Sequence, residues 1–464
     1  MSSMLTSLFR LTIPRSKATL AELPGPPPWF PLGNALRFLR RQPWEVCADL
    51  GKQYGPLFAI WIFSRPFVVL HDGGLVREVL DSQRDAFYKA DPVRAFLPLT
   101  PGGCLFLANG QDWKQLREQH PANLVDEDSF LADQIPLVTQ LVRQRAAAWI
   151  TATASRPLDL TRSVQRLAFD AFALCLWGQP LSDHTYRDFN LMGDVGARRV
   201  AIPPLAALPP LWPPFYAARR RWAQTFTALI ERARTDDAAG RSDLLHRSLP
   251  NSERLPADAY RVELATMFYG GVYSVTSAVV STLYCLAGDP EFAQRVRDEV
   301  RAAMNGSTAF DRSVLENCCH LDAALRESLR LQPPVPVFLR NVNKQRPVTL
   351  GGYTLPPDTP VIITTWPLHR SAEHWPDAEA YRPQRWLSGV RDANPLGSDH
   401  FFPFGRGPRT CIGQAFGWLA MKLLLATLLS EADVEVTGRY RQAFYFGVML
   451  PRGVEARLAR GTTA

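Results

Sequence analysis

The sequence predicts a mainly α-helical domain that carries small β-sheets. Apolar residues recur at helical spacing through most of residues 74–330. Two stretches, 57–70 and 348–364, are instead rich in β-branched and aromatic residues and broken by turn formers. No internal repeat or shift of composition divides the 464 residues into separate folding units.

Taken in order, residues 1–23 read as a loose N-terminal segment and 24–464 as the domain. The apolar run near the start is broken by Arg10 and Pro14. It is shorter than the roughly 20 residues of a spanning helix. It also lacks the charged start and small-residue cleavage site of a secretory signal. The expectation is a soluble chain without a transmembrane helix, compatible with a peripheral, amphipathic membrane contact. Prolines between 24 and 31 favour extended backbone. Residues 44–55 form an amphipathic pattern ended by Gly55. A hairpin turns at Ser64-Arg65-Pro66. Helical patterns follow at 75–83, 135–150 and 219–234, with an apolar, proline-rich connector at 202–216 between the last two. A long helix spans Ala257–Leu286, with Gly270 and Gly271 at its middle. Residues 348–366 read as two short strands around a turn. A last helix follows Cys411, and short strands end the chain.

Composition excludes several classes. With 46% apolar and 21% charged residues the chain is not disordered. Its 39 prolines follow no Gly-X-Y period, which excludes collagen. The net charge is +8 and the isoelectric point about 9.2. The basic residues are scattered, which argues against nucleic acid and for an acidic protein partner. Seven scattered cysteines do not make a disulfide framework, and a reducing, cytoplasmic setting is the expectation. Neither a CxxC nor an HExxH metal pattern occurs. Cys318, Cys319 and His320 look like ligands, but adjacent helical residues face different ways, and packing accounts for them.

The densest motif runs from Phe401 to Gly413 and contains Phe404, Gly405, Arg406, Gly407, Arg409 and Cys411 before a helix opens. A cysteine at a helix start, among arginines, is biased toward thiolate. Glycines let backbone approach something flat and bulky. Cys411 alone would suit a tight turn; the whole FxxGxRxCxG spacing asks for more.

That spacing resembles the haem-binding loop of the cytochrome P450 family, and the likeness extends from Pro24 to about Gly453. Trp113 to Arg117 is similar to the WxxxR of the helix beside the haem. Gly270, Gly271, Tyr273 and Ser274 sit where the central helix crosses the oxygen site. Glu327 to Arg330 resembles the ExxR helix, and Tyr381 to Trp386 the loop that supplies a second arginine. ExxR alone would be an ordinary helical ion pair; the ordered set is specific.

The resemblance implies a soluble, bacterial-type member with the cytochrome P450 fold, mainly α with small β-sheets. In that fold a single large domain buries haem b between the central long helix and the helix after the cysteine loop. It implies Cys411 thiolate as the iron ligand, Phe404 beside the sulfur, and Trp113, Arg117, Arg340 and Arg409 on the propionates. Glu327, Arg330 and Arg385 would form a buried structural network. Tyr269, Gly270, Val335, Val337, Phe338 and Phe446 would line an apolar pocket. The implied activity is a monooxygenase acting on an apolar small molecule such as a terpenoid, fatty acid or polyketide. No GxGxxG or phosphate-loop pattern occurs, so electrons would come from a separate ferredoxin or flavin reductase.

One position departs from the family. The acid that should precede the central helix's alcohol is Tyr273, and the alcohol is Ser274. Thr276 lies about 200° around the helix from Ser274 and cannot replace it. A hydroxyl can still relay a proton, so Ser274 is the catalytic candidate. The missing acid keeps a reductase-independent isomerase, dehydratase or peroxygenase as the alternative.

Overall fold

The structure, a computed structural model, describes residues 15–38, 41–89, 104–124, 128–201, 212–235, 243–250, 255–387, 399–445 and 447–461. In chain order the elements are α1 (Pro43–Tyr54), β1 (Leu57–Ile62), β2 (Arg65–Leu70), β3 (Phe87–Lys89), α2 (Gly110–Glu118) and α3 (Asp128–Thr153). Next come β4 (Leu158–Asp159), α4 (Leu160–Trp177), α5 (Asp183–Ala201), α6 (Pro213–Thr235), α7 (Leu244–Ser248) and the central helix α8 (Ala257–Ala287). Then follow α9 (Pro290–Met304), α10 (Cys319–Leu331), β5 (Val337–Val342), β6 (Val348–Leu350), β7 (Tyr353–Leu355) and β8 (Pro360–Thr364). Helix α11 (Gln414–Glu431) and strands β9 (Ala432–Tyr445) and β10 (Val448–Arg460) close the chain. These gather into two compact units.

The first unit comprises residues up to Arg94, Val335–Ala380 and Asp392–Cys411. Its five-stranded sheet has the order β1-β2-β8-β5-β3, with β2 and β8 parallel and the other pairs antiparallel. Alternation along β1 sends Leu57, Ala59 and Trp61 to one core and Phe58 and Ile60 to another. Leu20 and Leu23, assigned from sequence to the loose N-terminal segment, belong to the first of these cores. Helix α1 starts with proline at its first turn, and Gly55, at φ 94°, ends it as expected. The 75–83 pattern is broken instead into a short helix, Gly73–Arg77, and a wide turn, Glu78–Ser82. The 348–366 region holds β8 in addition to the two expected strands.

The second unit comprises Ala95–Pro334, Tyr381–Arg391 and Ile412–Ala464. Helix α8 runs through it with α4 against one side. Gly271 makes that approach close: a Cβ there would overlap the Phe172 ring of α4. Of the expected connector, 202–211 lie outside the described residues. Pro213 and Pro214 are already the first turn of α6, where a missing N–H leaves no bond unmade. The terminal strands are long, 14 and 13 residues, rather than short. They pair with each other and, through β10, with β4. One described helix, Asp258–Ala287, is long and apolar enough to cross a membrane, but 67% of its apolar window is buried within the fold, as befits a core helix.

Candidate active site

In the first unit the cysteine loop is folded by its own backbone and fastened at several points. Cys411 N–H donates to the Phe404 carbonyl at 2.9 Å, and Gly405 N–H to the Phe402 carbonyl at 2.9 Å. Gly405 and Gly407 take φ +78° and +68°, values that favour glycine. A Cβ on Gly407 would also stand 2.7 Å from Asp81 Oδ1. His369 Nε2 accepts the Phe402 N–H at 3.0 Å, while Arg406 pairs with Asp81 at 3.0 Å and Asp399 at 2.8 Å. The sequence showed the glycines but not these anchors, which come from distant segments. Cys411 is exposed in this loop, two residues before Gly413, the N-cap of α11.

Arg340 on β5 and Arg409 in the loop are the unit's unusual pair. Arg340 is 6% exposed, and its Nη1 donates to the Leu339 carbonyl at 2.9 Å. No carboxylate pairs with it among the described residues. Burial and then the charge of Arg409 push the Arg340 guanidinium down to about 9. Burial pushes Arg409 down to about 10. A buried Arg340 without a carboxylate, repelled by the half-buried Arg409, asks for an anion. Haem b has two propionates, so these residues fit that group. Val335, Val337 and Phe338 are half-exposed at the start of β5, and the Phe338 ring meets Phe402 edge-on at 6.4 Å.

In the second unit Trp113 and Arg117 lie four residues apart on α2, hence on one face, and both are half-buried. Helix α8 has an open face amid otherwise buried surroundings: Gly270 is exposed, and Thr266, Met267, Gly271 and Ser274 are half-exposed. Nothing lies within 4 Å of a Cβ built on Gly270. Ser274 Oγ donates to the Gly270 carbonyl at 2.6 Å, leaving its lone pairs toward the open side. Thr276 is fully buried and bonds back to the Val272 carbonyl at 2.6 Å, as its position around the helix predicts. Tyr273 turns the other way and is 0% exposed. Tyr269 also packs there, stacked on Phe189 at 4.8 Å and tilted on Trp222 at 5.5 Å. Burial raises both phenols well above the usual tyrosine range. Phe446 lies outside the described residues.

Glu327, Arg330 and Arg385 come together as expected. Arg330 donates to both Glu327 oxygens, and Arg385 Nε donates to Oε1 at 3.1 Å. Trp386 Nε1 and the Arg382 N–H, each at 2.9 Å, complete the shell. Trp386 stood in the quoted motif without a role. Cys318 is buried and His320 bonds Glu299 at 3.0 Å, so that cluster is packing.

The cytochrome P450 family model matches residues 23–452. Sugiol synthase of Salvia miltiorrhiza is 24% identical, covering 94% of this chain and 93% of its own. Amorpha-4,11-diene 12-monooxygenase of Artemisia annua is 25% identical over 95% of this chain and 88% of its own. Geraniol 8-hydroxylase of Catharanthus roseus is 23% identical over 94% and 92%. These relatives come from plants, so the expectation of a soluble, bacterial-type member finds no support. A thiol loop, paired cations suited to two propionates and a match along nearly the whole length agree: the chain belongs to the cytochrome P450 family of haem b monooxygenases.

Proposed function

We propose that this enzyme hydroxylates an apolar, terpenoid-like small molecule with O2 and electrons from a separate redox partner. One oxygen atom enters a C–H bond. The other leaves as water with two electrons and two protons. Haem supplies the oxygen-binding iron. Cys411, as thiolate, would hold that iron, with Phe404 beside the sulfur. Arg340 and Arg409 of the first unit, and Trp113 and Arg117 of the second, would hold the propionates. Ser274 Oγ orders one water and passes a proton; its hydrogen already rests on the Gly270 carbonyl, so the oxygen is poised to accept. Val335, Val337 and Phe338 present apolar surface that excludes water.

The observation that carries the reading is the open Gly270–Ser274 face at the middle of the central helix. The substrate class follows from relatives named for geraniol and amorpha-4,11-diene. A panel of monoterpenes and sesquiterpenes is titrated for the spectral shift of displaced iron-bound water, then turned over with a ferredoxin or flavin reductase. Oxygenated product that depends on the reductase supports the proposal. Product with peroxide alone favours the second reading, a reductase-independent haem-thiolate enzyme, which the absence of an acid at position 273 favours.

A further inference from the structure

Tyr273 stands where the family carries an acid, and neither reading above gives it work. A helical side chain leans back over the residues three and four before it. For Tyr273 these are Gly270 and Tyr269, two very different surfaces. Tyr269 is buried among aromatic rings, whereas Gly270 is exposed with open space above it. The phenol therefore has two resting places, and the one over Gly270 would cover the open face beside Ser274.

In the structure it takes the other. Its ring stacks on Phe189 of α5, with centroids 4.8 Å apart and planes 17° apart. Tyr445, the last residue of β9, meets it edge-on at 5.1 Å, and the two hydroxyls lie side by side over Gly193. The Tyr445 hydroxyl in turn donates to Asp194 Oδ1 of α5 at 2.8 Å. Gly193 makes room: a Cβ there would overlap the Tyr273 hydroxyl and stand 2.9 Å from that of Tyr445. Asp194 is exposed at a cleft of about 520 Å³, which Tyr445, Asn190 and Arg452 also line. Asp194 thus fixes the Tyr445 phenol, whose ring edge backs that of Tyr273, and burial keeps both phenols protonated.

We infer that Asp194 and Tyr445 are positioning residues that hold Tyr273 against α5 and so keep the Gly270–Ser274 face of α8 open. Gly193 is the space this arrangement requires. The inference rests on the haem-enzyme reading above.

The test uses haem-loaded, reduced protein, with carbon monoxide alone as the probe. Its association rate after flash photolysis reports how open the face is, independent of turnover. Asp194→Asn and Tyr445→Phe should each slow association several-fold. Adding Tyr273→Ala to either should restore the wild-type rate, a rescue that general structural damage would not show. Should those variants fail to load haem, Gly193→Ala is compared with Gly193→Ala/Tyr273→Phe, which removes the hydroxyl the new methyl meets; the second should be faster. Unchanged rates in the single variants, or no rescue, would overturn the inference. A wild-type protein lacking the thiolate-type carbon monoxide band would overturn the haem-thiolate reading instead, so the two failures are separable.

Discussion

Arg330 grips Glu327 with two nitrogens, Nε on Oε2 at 2.9 Å and Nη2 on Oε1 at 2.8 Å, and neither side chain has any exposed surface. Five donors converge on that one carboxylate. A buried ion loses its solvation, and only such a shell offsets the loss. Glu327→Ala strands Arg330 in the core and should cost about 3–5 kcal/mol, a large share of a typical stability of about 5–15 kcal/mol. Chemical denaturation and haem content of the purified variant check this; a stable, fully loaded Glu327→Ala protein would contradict it.

Cys411→Ala and Cys411→His should abolish the reduced carbon monoxide band that names the family, since neither residue offers a thiolate. Far-ultraviolet dichroism should stay native, because Cys411 is exposed and its backbone N–H closes the loop.

Arg340 gives a pH prediction with a definite sign. Its folded value, about 9, lies below the ordinary 12.5, so the unfolded chain binds more protons between these values. Stability of the haem-free protein should therefore rise with pH from about 9 upward, as the penalty of a buried cation is relieved. Arg340→Gln should flatten that rise, stabilise the haem-free protein at neutral pH and weaken haem retention. Thermal melts of haem-free protein across pH, with haem-transfer rates, measure all of these; equal slopes in wild type and variant would refute the assignment.

Ser274→Ala should lower product formed per electron consumed and raise peroxide release, with general acid–base help of this kind worth about 10²–10⁴-fold. Ser274→Thr keeps the hydroxyl and should retain coupling. Full coupling in the alanine variant would move proton delivery to substrate or water.

Lys114, exposed on α2, is the candidate for an acidic reductant's approach. Lys114→Glu should slow reduction most at low ionic strength, where screening is weak. Arg406 of the cysteine loop is instead committed to Asp81 and Asp399. Stopped-flow reduction rates that do not depend on salt would argue against electrostatic docking.

The parts legible in the sequence were those set by local rules. Gly405, Gly407 and Cys411 announce a tight loop, and β1 alternates between two cores as its residues demand. A long apolar run free of internal proline places α8 within a residue of its observed end. What stayed hidden depends on partners far along the chain. Nothing near Arg406 points to Asp81, and nothing near Tyr273 points to Asp194. Trp386 lies in a visible motif, yet only burial of Glu327 shows what its indole does. The β9–β10 pair was underestimated because Gly438 and Gly453, both at positive φ, sit at a register shift and read as strand ends rather than as bends within continuous strands.

That pair also bears on how the chain is finished during synthesis. Thr153 Oγ1 donates to the Leu458 carbonyl, and Thr161 Oγ1 to the Pro451 carbonyl. Ser277, on the central helix, donates to the Met449 carbonyl at 2.5 Å. Each of these early side chains waits through more than a third of translation for its acceptor. Contacts so distant in sequence form slowly and late. A ribosome-bound chain stopped before residue 448 should hold α4 and α8 in a loosened, protease-sensitive state, tightening only as the last strand emerges.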